Sequence, residues 1–560
     1  MKKTISLLLS AVIAFTMLSS IVTAQDITVN ETNDDWVHGV GSKLYDMYGN
    51  EVRLTGANWF GFNCSERVLH GLWQTDLRKT LKSIADRGIN LLRIPVSTEI
   101  LYEWKTGEMK PINIQINPWG NINTELEDMN SMQIFDRMVQ ICKEYGIKIM
   151  VDVHSPDANN SGHNYELWYG KEMSNGVMCT TDVWIDTWVW LVNKFKNDDT
   201  IIACDLENEP HGQPGKTIAK WDNSADENNW KYAAEKCANA ILDVNPNLLI
   251  MIEGIEVYPK AGYNFSSTNT TNYDYGWWGG ILKGVKNAPV TVKSQYQSQI
   301  VYSPHDYGPL VFKQPWFNKD FTKKTLMDDY WYDAWAYIVE ENIAPLLIGE
   351  WGGFMDGEKN QQWMQIMADY IVEKGLNHTF WCVNANSGDT GGLLTNDWVT
   401  WEEDKYELFK PTLWQDSNGK FIGLDHQTKL GENGILIGDY YNEEGNPLNP
   451  PKPVTTETDT EVETTTDSET ETEIDTNDDT DSEKDTDTSS DITDNYLLGD
   501  VNLDEILDIV DVVLTRSHIV GSRGLDAIDS KAQERADMNI DGTVDIVDIV
   551  LMRKIIVNSK

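Results

Sequence analysis

The sequence predicts an α/β protein whose main domain is a (β/α)8 (TIM) barrel. Short apolar runs rich in Val, Ile and Leu alternate eight times with longer stretches, several of which are amphipathic. Continuous apolar runs indicate parallel strands that are covered on both faces. Eight such strands with crossover helices in about 400 residues match this barrel. The alternative is an open doubly wound sheet, which lacks support because no Gly-x-Gly-x-x-Gly sequence follows the first strand.

Eight strands and five helices are predicted within the barrel. Several of the helices end in Gly, as helices commonly do. The predicted strands are Arg53–Trp59, Asn90–Val96, Lys148–His154, Ile201–Glu207, Leu248–Glu253, Gln299–His305, Pro345–Glu350 and Thr379–Val383. The predicted helices are residues 77–88, 132–146, 183–195, 230–244 and 361–375.

Polar or aromatic side chains follow six of the last seven predicted strands. In a (β/α)8 barrel the C-terminal ends of the strands form the mouth, where active sites lie. One acid at a strand end is equally well explained as a solvated rim residue, but six such ends are hard to obtain from solvation alone. The groups are Arg93, Asp152, His154, Glu207, Asn208, Glu209, His211, His305, Asp306, Tyr307, Glu350, Trp351, Phe380 and Trp381.

Glu209 and Glu350 end different strands, and this arrangement suggests paired-carboxylate chemistry. One carboxyl group acts as an acid, and the other is the ionised nucleophile. The negative charge of the ionised group raises the pKa of its partner. Tyr307 or Arg93 is a candidate donor to the nucleophile, and Asn208 is a candidate donor to a substrate hydroxyl. No zinc-ligand spacing and no Gly-x-Ser-x-Gly sequence competes with this interpretation.

Three acids stand close together at the end of the fourth predicted strand. The period of two along a strand places Asp205, Glu207 and Glu209 on one side. We expect Asp205 and Glu207 to make polar contacts inside the barrel.

The chain contains 22 Trp, and several of them point to a sugar substrate. Trp184 and Trp188, four residues apart on one helical face, are expected in the core. Tryptophans in loops near a barrel mouth are different, because a flat indole ring can stack on the C–H face of a pyranose. Trp381 is favoured as such a platform, and Trp278 fits core or platform equally. The tryptophans outside helical stripes are Trp73, Trp277, Trp278, Trp381 and Trp401.

Ten short sequences between Trp36 and Gly392 together resemble glycoside hydrolase family 5, close to its cellulase (endo-β-1,4-glucanase) members. The Asn-Glu-Pro and Gly-Glu-Trp-Gly pair is highly specific. The matching stretches are GANWFGF (56–62), HGLW (70–73), NLLRIP (90–95), VDVHSPD (151–157), DLENEPH (205–211), NPNLLIMIEG (245–254), GWWGG (276–280), VYSPHDYG (301–308), IGEWGG (348–353) and SGDTGG (387–392).

The resemblance implies a retaining enzyme that acts on β-glucan without a catalytic cofactor. Glu209 would be the acid/base and Glu350 the nucleophile, with their carboxyl groups about 5–5.5 Å apart. The implied substrate-binding residues are Arg93, His154, Asn208, His305, Tyr307, Trp381 and Trp73. Because the family shares its catalytic pair across substrates, a β-mannanase or a xyloglucan- or mixed-linkage-glucan-active enzyme is the alternative. A non-catalytic carbohydrate-binding barrel is disfavoured because both glutamates are present.

The six cysteines are few for an exported chain of this size, and none forms a Cys-x-x-Cys pair. Cys142, Cys204, Cys237 and Cys382 lie in apolar periodic segments, where a buried small hydrophobic residue is the expected role. Cys64 resembles a disulfide position of some relatives in the family, but residues 155–162 contain no cysteine partner.

The N-terminus and the acidic stretch divide the chain into regions. Residues 1–24 read as a secretory signal peptide, with Lys2 and Lys3 before a short apolar stretch. Residues 25–447 are the predicted catalytic domain, and 448–495 are the predicted linker. Residues 453–494 of this linker hold about 17 acids against one lysine, and the linker is expected to be disordered. The formal charge of −44 argues against a nucleic-acid partner. No later segment is apolar enough to span a membrane, so the protein is expected to be secreted.

Residues 496–560 contain two copies of a pattern offset by 37 positions: DVNLD (500–504) with ILDIVDVVLTR (506–516), and DMNID (537–541) with TVDIVDIVLMR (543–553). Each copy has the oxygen-rich spacing of a calcium loop before an apolar helix, which predicts a small all-α unit. The pair resembles a dockerin, which implies structural Ca²⁺ and a cohesin-bearing scaffold as the partner. The alternative that the chain is itself a scaffold protein is disfavoured, because such a protein would carry cohesin repeats and the sequence shows none. The implied ligands are Asp500, Asn502, Asp504, Asp508 and Asp511 in the first site, and Asp537, Asn539, Asp541, Asp545 and Asp548 in the second.

Glu505 stands where the second loop has Gly542. A residue other than Gly pays about 1 kcal/mol if that position needs a positive φ. We therefore expect the first site to bind Ca²⁺ more weakly. Ile509-Val510 and Ile546-Val547 fall at positions that face the cohesin in dockerins, although core packing of the helix is the alternative.

Overall fold

A computed structural model of the chain divides into two compact units, Met1–Asp459 and Thr460–Lys560. The predicted signal peptide and all of the predicted linker except 448–451 lie outside the residues that the structure describes. In the described part of the chain, no helix has the length and apolar character needed to cross a membrane. The described residues are 34–158, 165–442, 444–451, 498–501, 507, 511, 514–515, 518–519, 531–539, 542–544, 548–549, 551–552 and 555.

Eight parallel strands of the first unit form a closed barrel, as predicted. The strands in chain order are β1 (Val37–Val40), β2 (Lys43–Asp46), β3 (Glu51–Val52), β4 (Thr55–Asn58), β5 (Leu91–Ser97), β6 (Lys148–Ser155), β7 (Ile201–Asp205), β8 (Leu249–Glu253), β9 (Val257–Pro259), β10 (Tyr273–Tyr275), β11 (Ile300–Ser303), β12 (Leu347–Trp351) and β13 (Asn377–Phe380). The barrel order is β11-β8-β7-β6-β5-β4-β13-β12. Parallel bridges from Tyr302 to Leu346 and from His305 to Glu350 join β11 to β12 and close the ring. The open-sheet alternative is therefore wrong.

The five predicted helices are present, with ends that shift by one or two residues. The helices are α1 (Leu77–Asp86), α2 (Thr98–Thr106), α3 (Ser131–Glu144), α4 (Thr181–Phe195), α5 (Trp230–Leu242), α6 (Lys323–Leu326), a π-helical segment Met327–Ala336, α7 (Tyr337–Glu340), α8 (Lys359–Lys374), α9 (Glu403–Phe409), α10 (Ile437–Tyr440) and, in the second unit, α11 (Ala532–Ala536). The sequence patterns missed α2, which follows β5 directly because Ser97 caps it by accepting from the Ile100 amide.

Two strand predictions need correction because they change which residues point into the mouth. The fourth barrel strand, β7, ends at Asp205 and not at Glu207. The eighth, β13, covers Asn377–Phe380, so Trp381 follows the strand and begins the next loop. Both errors come from apolar or alternating residues that continue past the last ladder hydrogen bond.

The N-terminal end of the barrel is covered by the β1–β3 sheet and by the segment around Trp414 and Tyr440. These elements share one apolar cluster with inward-facing residues of the strands, such as Leu91, Met150 and Leu347. Burying this end leaves the C-terminal ends of the strands as the accessible mouth. All six cysteines are buried free thiols, as expected for those in apolar segments, and Cys64 forms no disulfide.

A buried ionic network ties the covering segments to the barrel. Lys148, at the start of β6, forms ion pairs with Asp35, Asp199 and Asp425. His426 Nδ1 lies 2.6 Å from Asp35 Oδ1, and its Nε2 lies 3.1 Å from Asp46 Oδ2. Burial alone would lower the pKa of His426, but its hydrogen bonds to Asp35 and Asp46 raise the pKa to about 9.

This network predicts a pH-dependent stability. Because the folded pKa of His426 exceeds its unfolded value, its stabilisation is complete below pH of about 6.5 and is lost as the pH rises through about 9. The shift corresponds to about 3 kcal/mol. In denaturant titrations at pH 6 and pH 10, we expect His426→Gln to reduce stability mainly at pH 6. His38→Gln, on β1, is the control, and equal losses from His426→Gln at both pH values would contradict the assignment.

Candidate active site

Arg93, on β5, is the centre of the polar cluster at the barrel mouth. Its side chain is fully buried and pairs with four carboxylates from four other strands. A buried guanidinium needs such partners, because desolvating an unpaired charge is costly. The contacts run from Nη2 to Asp152 Oδ1 (3.1 Å), from Nε to Asp205 Oδ2 (2.8 Å), from Nη2 to Glu253 Oε1 (3.1 Å) and from Nη1 to Glu350 Oε1 (2.8 Å).

Glu350, on β12, is held by two strong donors. Arg93 Nη1 donates to Oε1 at 2.8 Å, and the Tyr307 hydroxyl donates to Oε2 at 2.6 Å. Both donors stabilise the ionised form of the carboxyl group. Burial raises the pKa of Glu350, and Arg93 and the hydrogen bond from Tyr307 oppose that rise.

Glu209 lies in the loop after β7, and its surroundings favour the protonated form. His305 Nδ1 lies 2.9 Å from Glu209 Oε1. Burial and then the negative charge of Glu350 raise the pKa of Glu209 well above its usual range. Since Arg93 and Tyr307 both donate to Glu350, that carboxyl is the one that ionises and Glu209 retains its proton.

The two carboxyl groups are close enough to act on one bond. One oxygen of Glu209, one nitrogen of His305 and one oxygen of Glu350 all lie within 4.8 Å of one another. This separation fits a carboxylate that attacks a substrate directly, and it is short for a pair that holds a water molecule between carboxylate and substrate. The sequence prediction that Glu209 and Glu350 meet is confirmed by this geometry.

Trp381 presents a half-buried indole at the mouth. Its ring stacks on Phe60 (centroids 5.5 Å apart) and on His154 (5.5 Å). His154 Nδ1 lies 2.6 Å from Asp152 Oδ2. Burial lowers the pKa of His154 to about 3, so the imidazole is neutral at pH 7.

The ring contacts of Trp381 extend beyond Phe60 to two further aromatic side chains. The His70 ring contacts both Phe60 (5.1 Å) and Trp73 (5.4 Å). Trp73 is half-buried and rests on Trp398. Ring contacts thus connect Trp381 to Trp73 through Phe60 and His70.

The other loop tryptophans divide into two groups. Trp277 and Trp401 are buried, so neither forms an exposed platform. Trp278 is half-buried and stacks on His211 at 4.0 Å. Trp184 and Trp188 are fully buried in the core, as predicted.

The expectation that Asp205 and Glu207 share one side is wrong for Glu207. Asp205 points into the barrel, where its Oδ2 accepts from Arg93. Glu207 lies beyond the end of β7, and its carboxyl is buried beside Trp184 of the helical layer. Alternation of side chains holds only within the strand, so it does not place residues after Asp205.

With the site geometry established, comparison with known proteins identifies the family. The sequence profile of Cellulase (glycosyl hydrolase family 5) matches residues 45–387, more than half of the chain. The chain belongs to glycosyl hydrolase family 5. It is therefore a glycoside hydrolase, as the sequence predicts.

Relatives and solved structures in family 5 agree with this assignment. Endoglucanase G of Acetivibrio thermocellus is 56% identical over 480 residues, which cover 81% of this chain and 84% of that protein. Endoglucanase B of the same organism is 43% identical over 484 residues, which cover 79% and 84%. The Pyrococcus horikoshii endocellulase, solved with cellotetraose, is 31% identical with a TM-score of 0.57 and covers 68% of this chain and 98% of its own. The catalytic domain of the major Xanthomonas campestris endoglucanase is 27% identical with a TM-score of 0.58 and covers 68% and 99%.

The predicted site residues of this family 5 domain lie together, and several further residues complete the site. Arg93, Asn208, His305, Tyr307, Glu209 and Glu350 form one connected cluster, with His154 and Trp381 beside it. The residues that sequence reasoning left out are Asn58, Phe60, His70 and Glu253. Glu253 could have been predicted as a site residue, because it is the last residue of the fifth barrel strand and polar groups at the C-terminal ends of the strands form the site.

The C-terminal unit places five of the ten predicted calcium ligands among the described residues. Asp500, Asp511, Asp537 and Asp548 are buried, and Asn539 is exposed. The other five, Asn502, Asp504, Asp508, Asp541 and Asp545, and both Ile-Val pairs lie outside the described residues. The side chains of these Asp and Asn residues carry hard oxygen atoms, which are the ligands that Ca²⁺ takes in proteins.

The two copies share one hydrogen bond at equivalent positions. Asp511 Oδ1 accepts from the Val501 amide at 2.8 Å, and Asp548 Oδ1 accepts from the Met538 amide at 2.7 Å. Gly542 adopts φ +85° and donates its amide to Asp537 Oδ2 at 2.8 Å. The second loop therefore has the left-handed residue expected at this position, whereas Glu505 lies outside the described residues.

Proposed function

We propose that the protein is an endo-β-1,4-glucanase that hydrolyses cellulose and related β-glucans by a retaining double displacement. The observation that carries this proposal is the short separation of Glu209 and Glu350, with Arg93 and Tyr307 both donating to Glu350. In the first step, a Glu350 oxygen attacks the anomeric carbon. Glu209 gives its proton to the glycosidic oxygen, and the cleaved chain leaves. A glycosyl ester on Glu350 remains.

In the second step, the Glu209 carboxylate takes a proton from water. The water oxygen attacks the anomeric carbon, the ester bond to Glu350 breaks, and the sugar is released with its original β configuration. Once Glu350 is esterified, its negative charge no longer raises the pKa of Glu209, which therefore serves as a base. Each round of the two steps restores the proton on Glu209.

A donor beside Glu209 is available for a substrate hydroxyl. Asn208 Oδ1 accepts from Arg93 Nη2 at 3.1 Å. Its Nδ2 is buried and has no hydrogen-bond partner among the described residues. Since a buried donor left without a partner is costly, this amide suits a hydroxyl of the bound sugar ring.

The Pyrococcus horikoshii structures support these residue roles. They include two variants in which a glutamate is replaced by alanine and one in which a tyrosine is replaced by phenylalanine, each with cellotetraose. The two glutamates are separated in that sequence by the same number of residues as Glu209 and Glu350 are here. The tyrosine precedes the second glutamate by the same interval as Tyr307 precedes Glu350.

A substrate panel tests the proposal against its alternatives within the family. We expect the highest kcat/KM on carboxymethyl cellulose, with a rapid fall in viscosity from internal cleavage. Barley β-glucan, xyloglucan and mannan complete the panel. Mannan or xyloglucan turned over faster than the cellulose derivative would replace the proposed substrate with the β-mannanase or xyloglucanase alternative.

We propose further that the protein is secreted and docks through residues 496–560 onto a cohesin-bearing scaffold, as a calcium-folded dockerin. The repeated Asp511–Val501 and Asp548–Met538 hydrogen bonds support equivalent loops in both copies. When bound, Ca²⁺ would be held by loop carboxylates and would link each loop to the helix that follows it. Asp500, Asp511, Asp537, Asn539 and Asp548 are the described residues that would hold it.

Calorimetry of the full chain tests the two calcium sites. We expect two transitions, with the tighter one removed by Asp537→Ala and the weaker one by Asp500→Ala. The reason is that Gly542 adopts positive φ freely in the second loop, whereas Glu505 stands at this position in the first. Loss of the tighter transition in Asp500→Ala would contradict this ranking.

A further inference from the structure

We propose that Glu253 is a positioning residue for Glu209. Its carboxylate holds the Glu209 backbone in the conformation that directs the acid/base side chain at the scissile bond. This inference rests on the proposed role of Glu209. It assigns a role to a residue at the back of the site, where no substrate atom needs to reach.

The Glu209 backbone adopts a conformation that needs external support. Its φ is +51°, in the left-handed region, which is unfavourable for a residue with a side chain. The Glu209 amide donates to Glu253 Oε2 at 2.7 Å. A short hydrogen bond from this amide to a buried carboxyl oxygen that cannot move can offset this cost.

Glu253 is itself fixed from several directions. It is the last residue of β8, is fully buried, and its carbonyl oxygen accepts from Trp230 Nε1 at 2.9 Å. Arg93 Nη2 donates to Oε1 at 3.1 Å. Gly279, with φ +66°, lies against the carboxylate, and a Cβ atom there would come within 2.4 Å of Oε2. The carboxylate therefore has little room to move.

The same carboxylate also contacts the other groups that surround the catalytic pair. His305 Nε2 lies 3.2 Å from Glu253 Oε1, while Nδ1 of the same ring lies 2.9 Å from Glu209 Oε1. Arg93, which Glu253 binds, donates to Glu350. Glu253 thus supports Glu209 in two ways. It accepts from the Glu209 backbone amide, and it contacts His305, whose imidazole lies against the Glu209 side chain.

A simpler role would be to balance the charge of Arg93. Asp205 provides the matched comparison, because it also binds Arg93 (2.8 Å) from a neighbouring strand and is equally buried. The Glu209 amide donates to Glu253, whereas the Asp205 carboxyl bonds to Arg93 and to the Glu253 carboxyl itself. If Glu253 only balances charge, Glu253→Gln and Asp205→Asn will behave alike; if it positions Glu209, they will differ.

Leaving-group dependence separates these roles. Phenyl β-cellobioside needs protonation of its leaving oxygen, whereas 2,4-dinitrophenyl β-cellobioside departs without it. We expect Glu253→Gln to lower kcat/KM by roughly 10- to 100-fold on the phenyl substrate, the scale of a misplaced catalytic group, and only a few-fold on the dinitrophenyl substrate. Asp205→Asn should lower both values by the same factor. Equal losses on both substrates in Glu253→Gln, or no loss on either, would overturn the inference.

Two further variants keep the outcome decisive. Glu253→Asp retains the charge but withdraws the carboxylate from the Glu209 amide, and it should show the same selective loss if Glu253→Gln does not fold. Glu209→Gln, measured in parallel, should show a larger selective loss. If Glu209→Gln shows no selectivity, the proposed role of Glu209 fails; if it does and neither Glu253 variant follows, only the role of Glu253 fails.

Discussion

Replacing Glu350 with glutamine is expected to lower kcat on carboxymethyl cellulose or native cellulose by about 10⁵-fold, the scale seen when an enzyme loses its nucleophile. The amide cannot attack the anomeric carbon. Its carbonyl oxygen can still accept a hydrogen bond from Arg93 or Tyr307, so the barrel should fold as before. Reducing-sugar release gives kcat, and the thermal unfolding midpoint reports the fold.

Glu358→Gln is the matched control for this variant. Glu358 is an exposed glutamate shortly after Glu350, directly before α8, and makes no side-chain cap of that helix. We expect it to retain wild-type activity. Near wild-type turnover by Glu350→Gln would show that another group is the nucleophile.

Glu209→Gln should produce the second-largest loss, and the loss should depend on the substrate. On cellulose, kcat/KM should fall by roughly 10²- to 10⁴-fold, because the leaving chain then departs without a proton. The wild-type kcat/KM should decline on the alkaline side as Glu209, whose pKa is raised, loses its proton. Glu209→Gln should lack this alkaline decline in a pH profile of the residual activity.

Glu207→Gln is the control for Glu209. It lies two positions earlier, is equally buried, and faces the helical layer beside Trp184. Burial raises the pKa of Glu207 well above its usual range and so favours the protonated carboxyl, which glutamine resembles closely. Activity close to wild type is expected. A loss in Glu207→Gln as large as that in Glu209→Gln would contradict the assignment of Glu209 as the catalytic acid.

The barrel and the catalytic pair could be predicted because they depend on strong local patterns. Buried parallel strands require continuous apolar runs, and the mouth of a barrel lies at the C-terminal ends of its strands. These two rules give the polar strand ends, among them Arg93 and Glu350, whereas the choice of Glu209 and Glu350 as the catalytic pair came from the resemblance to glycoside hydrolase family 5. The eight strands were located within a few residues, and β13 was placed too late because Trp381, Cys382 and Val383 continue its apolar pattern.

The parts that could not be predicted depend on backbone turns and on contacts between distant segments. Period two fails once β7 ends at Asp205, and the left-handed backbone of Glu209 then sets its direction. Glu253 binds the amide of a residue 44 positions away, which no local pattern reveals. The pairing of Lys148 with Asp35 and Asp425 likewise joins segments from the two ends of the first unit.

Trapping the covalent intermediate tests the central claim most directly. 2,4-Dinitrophenyl 2-deoxy-2-fluoro-β-cellobioside forms the glycosyl ester quickly, because its leaving group needs no protonation, and the fluorine slows hydrolysis of the ester. Intact-mass measurement followed by peptide mapping should find one fluorocellobiosyl group per chain, attached to Glu350. A label on Glu209, or turnover of the reagent with inversion and without any labelled protein, would contradict the double displacement.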